Sequence, residues 1–320
     1  MSRRRHRPDA RDLHGILLLD KPLGMSSNKA LQMAIAILRA AKGGHTGALD
    51  PLATGLLPLC FGEATKIAGN LLGSRKAYLA ECRLGITTTT ADLEGDVLEQ
   101  RPVPTLDDAT LEAALATLRG RIIQVPPVYS ALKQGGEPLY LKARRGEAVE
   151  APPREVDIHH LELVSRRENT LSLYVECGSG TYVRSLAVDL GARLGCGAHL
   201  SALRRLWVEP FRAPVMVTMD ELRAAAEQGS DAADRLVLPL SAGVADLPAL
   251  HLDAAAGQAV SQGRQIEWPA GHPRAYSAAF ADDGCLLALV DCDEQGRIRI
   301  LRGFNLPTQC ALSPSGRGVG

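Results

Sequence analysis

The sequence predicts an α+β protein with a mixed, mainly antiparallel central sheet and a small β-rich module near the C-terminus. Strand-like and helix-like segments follow one another without the regular alternation that parallel α/β folds require. Residues 76–85 alternate as a half-buried strand does, with apolar side chains on one face. After Pro248 the chain becomes acidic, and its short apolar runs are separated by turn signals such as Asp282-Asp283-Gly284. These three observations favour an α+β architecture.

The segments before residue 120 are predicted from their apolar spacing. Residues 15–19 form an apolar run of strand length that a Pro/Gly turn ends. Ser26 or Ser27 suits a helix cap, and one apolar face continues to about Ala41. The same reasoning gives the remaining elements of this part: a glycine-rich loop at 43–55, a strand at 56–61, a short helix at 63–72, the strand at 76–85 and a helix at 107–118.

The second half of the chain begins with a long irregular segment. Residues 119–153 are basic and rich in proline and glycine, and they are too long for a simple connection, which is typical of a functional loop. The elements predicted after it are strands near 155–166 and 170–177, a strand-to-helix passage from Thr181 to Leu194, helices at 218–228 and 231–236, and strands at 276–280, 285–291 and 297–304.

The charge of the chain is unevenly distributed although the formal net charge is +0. Residues 1–76 contain twelve Lys or Arg and five Asp or Glu, a net charge of +7. Residues 220–320 contain eight and thirteen, a net charge of −5. A basic front half can bind phosphates through counterion release. An ordinary solvated surface with a basic tail explains the same distribution, so charge alone leaves both readings open.

The seven cysteines are odd in number, and no two have CxxC spacing. This argues against a disulfide framework and against a zinc site. No apolar run reaches the roughly 18 residues that a membrane span needs. The basic N-terminus lacks the apolar stretch of a signal peptide. We therefore expect a cytoplasmic protein that does not insert into a membrane.

The glycine-rich loop at 43–55 is the first candidate for chemistry. Its glycines permit close approach of the backbone to a ligand, and Asp50 could act as a nucleophile or a base. The ordinary alternative is that Asp50-Pro51 merely begins a turn. The loop matches neither a Walker motif nor GxGxxG, and the chain has no HExxH or GxSxG.

A second carboxylate, which sugar hydrolysis usually requires, is not apparent in sequence. Glu63 and Asp92 are the nearest acidic candidates, and neither lies in a motif that pairs it with Asp50. A single carboxylate, a few aromatic side chains and several arginines remain. An enzyme that acts on an RNA base removed from its stack needs such a set: an aromatic face on which the base stacks, an arginine that holds a charge, and a carboxylate that reacts.

Seven segments follow one another along the chain: Gly15 to Ser27, Gly44 to Gly55, Arg75-Lys76-Ala77-Tyr78, Gln124 to Lys133, Gly180 to Leu186, Leu194 to Leu200 and Leu203-Arg204-Arg205-Leu206. In this order they resemble the motifs of the bacterial TruB family of pseudouridine synthases over roughly residues 14–245, and residues 248–306 resemble an RNA-binding PUA domain more weakly. The glycine-rich segment matches the family's catalytic motif without a gap.

The resemblance implies the pseudouridine-synthase fold and an activity: isomerisation of uridine to pseudouridine at position 55 in the T-loop of tRNA. It implies no cofactor, no metal and no protein partner, and a monomer that binds the T-arm. The domains implied are a basic disordered arm at 1–13, a catalytic domain at 14–247 with a tRNA-clamping insertion at 119–153, a PUA-like RNA-binding domain at 248–306 and a disordered tail at 307–320.

Three residues resemble catalytic residues of the family. Asp50 resembles the nucleophile, which attacks either the sugar C1′ or the uracil ring. Tyr78 resembles a tyrosine stacked on the flipped base and could also exchange a proton. Arg184 resembles the arginine that pairs with the carboxylate, and we expect this pair to lower the carboxylate pKa. Without the resemblance, Tyr78 would be read as a core residue and Arg184 as a surface charge.

Four further residues resemble family residues that contact or position the RNA. His45 resembles a residue that enters the T-loop, and Leu203 an apolar contact to the target base. Tyr182 lies two residues before Arg184, so an extended backbone would point both to one side. Lys21 resembles a motif lysine that positions Tyr78 or the backbone. Alone, these four would be read as a loop histidine, two core residues and a surface lysine.

The loop after the strand at 76–85 departs from the family. Related sequences commonly have Asp where Thr89 stands and Arg near Thr87, whereas Asp92 is kept. Three alternatives remain to be distinguished by experiment. They are a tRNA-folding chaperone that binds the T-arm without depending on catalysis, a guide-dependent relative that works within a ribonucleoprotein, and a sugar-active enzyme.

Overall fold

A computed structural model of the 320-residue chain describes residues 9–73, 75–130 and 132–306. The predicted tail at 307–320 and the first eight residues of the predicted basic arm lie outside the described residues. Order begins before the boundary expected at residue 13. The backbone N–H of Arg11 donates to the carbonyl of Arg39 over 2.6 Å, and its guanidinium forms an ion pair with Asp234.

The α+β class is confirmed by an irregular succession of strands and helices. The first half contains β1 (Gly15–Lys21), α1 (Ser27–Leu38), β2 (Gly43–His45), β3 (Ala53–Phe61), a 3₁₀ turn (Gly62–Lys66), α2 (Ala68–Leu72), β4 (Lys76–Leu84), β5 (Ile86–Thr88), β6 (Val97–Gln100), α3 (Asp108–Ala116) and β7 (Gly120–Gln124).

The remaining elements include the two long strands predicted after the irregular segment. They are β8 (Lys133–Gln134), β9 (Glu137–Pro138), α4 (Leu139–Arg144), β10 (Arg154–Arg167), β11 (Thr170–Cys177), α5 (Val183–Arg193), β12 (Ala198–Val208), α6 (Met219–Glu227), α7 (Ser230–Asp234), a 3₁₀ turn (Leu240–Val244), β13 (Ala249–His251), α8 (Ala254–Ser261), β14 (Ser277–Phe280), β15 (Leu286–Cys292) and β16 (Ile298–Gly303).

The central sheet has eight strands in the order β1-β3-β12-β4-β11-β10-β7, with β2 paired to β3 beside β12. Every pairing is antiparallel except that of β12 with β3. One edge of β3 is thus shared: β12 pairs with its start and β2 with its end. The loop that joins β2 to β3 therefore lies next to β12, in the middle of the sheet.

Glycine at position 55 permits this parallel pairing. Gly55 has a φ of +93°, and a Cβ there would lie 2.2 Å from the carbonyl oxygen of Arg205 on β12. Any larger residue would force the two strands apart. The glycine that ends the loop motif is thus required by the sheet itself.

Strand β1 is buried on both faces, which explains its uninterrupted apolar run. Leu17 and Leu19 belong to the main core, to which helices α1, α3, α5 and α6 contribute. Ile16 and Leu18 belong to a second apolar cluster that includes Phe304 after β16. The alternation predicted for β4 is also found, because its apolar face packs into the main core.

The β-rich module predicted after Pro248 is a four-stranded sheet in the order β13-β14-β15-β16, with α8 beside β15. Its strands Ser277–Phe280, Leu286–Cys292 and Ile298–Gly303 lie close to the predicted ranges. The module contacts the 3₁₀ turn at Gly62–Lys66 directly. The Lys66 ammonium donates to the carbonyl of Gly303 over 2.8 Å, and the backbone N–H of Asn305 donates to Glu63 over 2.7 Å.

Three local predictions differ from the structure. The segment 119–153 is not irregular from its start, because β7 pairs with β10 at the edge of the central sheet. The loop predicted at 43–55 begins with a short strand, β2. Residues 181 and 182 do not form the strand expected at the start of the passage to Leu194: after β11 the chain turns into the helix at Val183. Within the described residues, no helix is both long and apolar enough to cross a membrane.

Candidate active site

The loop that presents Asp50 is held by a buried serine at the start of α1. The Ser27 hydroxyl donates to the carbonyl of Leu49 over 3.0 Å and accepts from the backbone N–H of Leu49 over 2.7 Å. On the other side of Asp50, the carbonyl of Pro51 accepts from the backbone N–H of Gly24 over 2.9 Å. Asp50 is therefore fixed by the residues before and after it.

Lys21 is entirely buried, with 0% of its surface exposed. Its ammonium donates to the carbonyls of Pro22 at 2.9 Å and Met25 at 2.6 Å, and it lies 3.5 Å from that of Pro51. Burial lowers its pKa to about 8, although the negative charge of Asp50 opposes the change. This geometry does not fit a direct contact between Lys21 and RNA. It fits the other expectation for this lysine, which was to position the backbone.

Arg184 connects Asp50 to a second carboxylate. Its Nη2 lies 2.9 Å from Oδ2 of Asp50, and its Nη1 lies 3.4 Å from Oδ2 of Asp92. The same nitrogens donate to the carbonyls of Tyr129 and Thr90, each over 3.0 Å. The side chains of Arg184 and Asp92 are 5% and 3% exposed, whereas that of Asp50 is 47% exposed. Asp50 is thus the accessible end of a buried charged network.

The pKa of Asp50 is raised above its ordinary value, contrary to the expectation that Arg184 would lower it. Burial is the largest cause, and Asp92 adds to the increase. Arg184 and, more weakly, Lys21 oppose it. Asp50 is also one of the residues that line a cavity. Desolvation of the charged form therefore outweighs the attraction of the guanidinium.

Five of the seven predicted site residues line one cavity of about 310 Å³: Asp50, Tyr78, Tyr182, Arg184 and Leu203. The volume is at the lower end for small-molecule sites, which span about 300 to 1,000 Å³. Tyr78 and Leu203 come from the neighbouring strands β4 and β12, and the other three from loops or the start of α5. A carboxylate, an arginine and aromatic walls thus converge on one space.

Tyr78 lies on β4 directly opposite Arg205 on β12. The Arg205 guanidinium donates to the Tyr78 hydroxyl and also to the carbonyls of Leu56, over 2.6 Å, and Gly47, over 3.2 Å. Burial raises the pKa of Tyr78, and the effect outweighs the opposing influence of Arg205. Tyr78 therefore presents a neutral aromatic ring and a protonated hydroxyl.

Tyr182 reaches the cavity by a route that differs from the prediction. An extended backbone was expected to point Tyr182 and Arg184 to one side, but Tyr182 is the N-cap of α5 and Arg184 is in its first turn. Gln124 fixes Tyr182 by accepting from its backbone N–H over 3.1 Å and donating to its carbonyl over 3.3 Å. The guanidinium of Arg154 lies 5.1 Å from the centre of the Tyr182 ring.

His45 lies outside the residues that line the cavity. It ends β2, opposite Leu59, and is half-buried. Burial is the main cause that lowers the pKa of its imidazole, and the positive charge of Arg205 adds to the effect. The ring is therefore neutral at neutral pH, and it suits stacking better than binding a phosphate by charge.

Sequence reasoning assigned no role in the site to three charged residues, Lys76, Asp92 and Arg205, although Asp92 was considered as a second carboxylate. Each is buried, whereas charged side chains are usually exposed. A usable signal existed for Lys76, because residues two apart on a strand share a face and Tyr78 follows two positions later. Among the described residues, no cluster of three or more His, Cys, Asp or Glu could hold a metal ion.

The architecture belongs to a known structural class. A solved structure described as a Cbf5-Nop10-Gar1 complex has a TM-score of 0.71 at 24% identity, covering 92% of this chain and 89% of that one. A structure of an H/ACA RNP bound to a substrate RNA containing 2′-deoxyuridine also has a TM-score of 0.71, at 22% identity, covering 95% and 94%. The chain thus has the pseudouridine-synthase fold.

Sequence comparison defines the family within that class. Residues 36–183 match the N-terminal domain of TruB family pseudouridylate synthases, and residues 184–245 match the C-terminal domain of tRNA pseudouridylate synthase B. The tRNA pseudouridine synthase B of Xanthomonas campestris pv. campestris (strain B100) is 58% identical over 303 residues, 94% of this chain and 98% of that protein. That of Pseudomonas fluorescens (strain Pf0-1) is 47% identical over 289 residues, 90% and 94%. The chain belongs to the TruB family.

Proposed function

We propose that this protein isomerises uridine to pseudouridine at position 55 in the T-loop of tRNA. The observation that supports this most directly is the position of Asp50: a half-exposed carboxylate, oriented by Arg184, in a nucleoside-sized cavity with Tyr78 and Leu203 in its walls. The relatives named tRNA pseudouridine synthase B support tRNA as the substrate.

The proposed reaction begins when the target uridine leaves its stack and enters the cavity. Asp50 attacks the nucleotide at the sugar C1′ or at the uracil ring, and the bond between C1′ and N1 breaks. The base turns, C5 bonds to C1′, the bond to Asp50 breaks, and the proton lost from C5 is replaced by one gained at N1. Arg184 orients the carboxylate throughout, because its buried guanidinium is held by Asp92 and two carbonyls.

Side chains that line the cavity position the flipped base. The Tyr78 ring stacks on the flipped uracil, and Leu203 makes an apolar contact with it. Tyr182 closes the wall at the start of α5, where Gln124 fixes its backbone. His45, at the end of β2 and outside the cavity, enters the T-loop as a neutral ring. Lys21 stabilises the backbone around Asp50 by donating hydrogen bonds to backbone carbonyls.

Two parts of the chain extend the proposed contact with RNA. The insertion at 119–153 contains Lys133 and Arg144, which are exposed and can bind phosphates of the T-arm. Arg145 is less suited, because it already forms ion pairs with Glu137 and Glu147. The four-stranded C-terminal module is the proposed PUA-like RNA-binding domain. Because the proposed target is a single tRNA arm, the protein acts as a monomer. The proposed location of the protein is the cytoplasm.

Release of tritium from tRNA labelled at C5 of uracil tests this proposal. An unmodified tRNA transcript should lose the label from one uridine per molecule, because C5 exchanges its hydrogen for the sugar bond. A transcript with cytidine in place of that T-loop uridine should release none. Binding of both transcripts without release from either would favour the alternative, a tRNA-folding chaperone that does not depend on catalysis.

A further inference from the structure

Lys76 is a buried cation that lines the candidate active site. It begins β4, two residues before Tyr78, so both side chains lie on the same face of the strand. It is 7% exposed and contributes to the same cavity as Asp50. The proposed roles of Asp50, Tyr78 and Arg184 leave this ammonium without a part in the reaction.

The surroundings of Lys76 destabilise its charged, protonated form. Arg205 approaches from β12, Cys177 is opposite it on β11, and Glu209 follows β12. Burial lowers the pKa of Lys76 to about 8, and Arg205 lowers it further against the weaker effects of Cys177 and Glu209. The Cys177 thiol stays neutral, because burial raises its pKa to about 11.

The two neighbouring cations hold the protein framework. Arg205 directs its guanidinium to the carbonyls of Leu56 and Gly47 and to the Tyr78 hydroxyl, so it supports the protein framework. Lys21 directs its ammonium to backbone carbonyls and is not among the residues that line the cavity. Lys76 is the lysine that is both buried and among the residues lining the cavity that a substrate would fill.

The deepest part of a flipped nucleotide is its base. The sugar and phosphate stay connected to the RNA chain and remain near the mouth of a cavity, whereas the base extends inward. Lys76 is almost fully buried on the strand that also presents Tyr78, so the group that reaches it is the base rather than a phosphate. Uracil offers carbonyl oxygens, which accept hydrogen bonds from an ammonium group.

We propose that Lys76 is a further catalytic residue, whose ammonium donates a hydrogen bond to a carbonyl oxygen of the uracil and stabilises the negative charge that the base gains as it detaches. When the bond between C1′ and N1 breaks, its electron pair stays on the base. The detached uracil is then an anion with charge on N1, O2 and O4. When C5 bonds to C1′ the base becomes neutral, and the proton then lost from C5 is balanced by a proton gained at N1. Lys76 keeps its protons throughout, and the inference rests on the proposed isomerase function.

Replacement of Lys76 by methionine tests the inference. Under single-turnover conditions with saturating enzyme, K76M should slow pseudouridine formation by about 100-fold or more, as loss of one donor to a developing oxyanion does. The dissociation constant for tRNA should change by less than about threefold, because the lost interaction is made in the transition state. Arg75→Gln, which removes the neighbouring surface ion pair with Glu176, should remain close to the wild-type rate.

The pH dependence of the reaction gives a second readout that a purely structural lysine would not affect. For the wild type, kcat/KM should fall as the pH rises through about 8, because the Lys76 ammonium loses its charge. In K76R this loss should disappear while part of the activity remains, since the guanidinium does not titrate there. If K76M does not fold, the comparison of the pH profiles of the wild type and K76R tests the role of Lys76 instead.

Two results would overturn the role of Lys76 while the isomerase function stood. One is a K76M rate within about threefold of the wild type. The other is a basic limb that persists unchanged in K76R, which would then belong to another group such as Lys21, whose pKa is also about 8. Absence of tritium release by the wild-type protein would instead contradict the proposed function itself.

Discussion

The charge of Asp50 is governed by residues buried behind it. Arg184 cannot turn away without breaking its ion pair with Asp92 and its hydrogen bonds to two carbonyls, and a buried unpaired charge is strongly destabilising. The arginine therefore holds the Asp50 carboxylate in one orientation. It also limits how far burial can raise the carboxylate pKa.

Replacement of Arg184 by glutamine should move the acid limb of the pH–rate profile upward. Asp50 must be ionised to attack, so the rate falls as the pH falls through its pKa. Because Arg184 opposes the rise caused by burial, its removal raises that pKa further. The single-turnover rate at neutral pH should also fall by about 100-fold or more, since the carboxylate loses its orientation.

Arg193 offers a matched control for this experiment. It lies at the end of the same helix, α5, and its guanidinium donates to Thr117 and to the carbonyl of Asp189. Arg193→Gln should leave the acid limb in place. An acid limb that stays unchanged in R184Q would contradict the coupling between Arg184 and Asp50.

At the scale of residues, the sequence could indicate which side chains belong to the site but not how buried they are. The TruB-like motifs indicated Asp50, Tyr78 and Arg184, and all three line the cavity. Lys76 and Arg205 lie within two of the same motifs, yet a charged residue in a strand suggests a surface position. Their burial depends on pairing between β4, β11 and β12, which are distant in sequence.

At the scale of elements, the first turn of α1 fixes the catalytic loop. Ser26 caps the helix by accepting from the backbone N–H of Lys29 over 3.2 Å. Ser27, one residue later, is buried and exchanges two hydrogen bonds with Leu49 in the loop. Two adjacent serines thus have separate tasks, one for the helix and one for the site.

Replacement of Ser27 by alanine should lower both activity and stability. The buried N–H of Leu49 loses its acceptor, which costs about 1–3 kcal/mol of the free energy of unfolding. The loop next to Asp50 becomes less ordered, and kcat should fall by about tenfold or more. Urea unfolding and single-turnover tritium release measure the two effects.

Ser26→Ala provides the control, because it removes a helix cap without touching the loop. It should cost about 1 kcal/mol of stability and leave kcat unchanged. Equal kcat values for the S27A and S26A variants would show that the Ser27–Leu49 bonds do not position the catalytic loop.

Elements with a local signal were predicted well, and those formed by distant pairing were not. Strand β4 follows from its own alternation, and α1 from its cap and apolar face. Strand β7 exists through pairing with β10, more than 30 residues along the chain, so residues 120–124 read as irregular. The passage from Thr181 to Leu194 was expected to begin with a strand, because the sequence around Thr181 favours one and Tyr182 caps α5 without a side-chain hydrogen bond that would mark the start of the helix.

At the scale of the whole molecule, the C-terminal sheet supports β1, the strand that precedes helix α1. Phe304 packs in the cluster that covers the outer face of β1, where Ile16 and Leu18 lie. Composition indicated a separate module after Pro248, and the module is found. Its attachment to β1 was not predictable, because the strand's apolar run fits any buried position.

Replacement of Phe304 by alanine should destabilise the protein by about 3–5 kcal/mol, the usual loss for a buried phenylalanine. Urea unfolding followed by circular dichroism measures it. Leu301→Ala, at a 36% exposed position on the same sheet, should change the stability by no more than about 0.5 kcal/mol. Similar values for the two variants would contradict the packing of this module against β1.

Tritium release by an Asp50→Asn variant tests the central claim most directly. The amide keeps the size of the side chain but cannot attack the nucleotide, so release should fall to the background while tRNA binding stays within about threefold of the wild type. Release by D50N at a rate within about tenfold of the wild type would show that Asp50 is not the nucleophile.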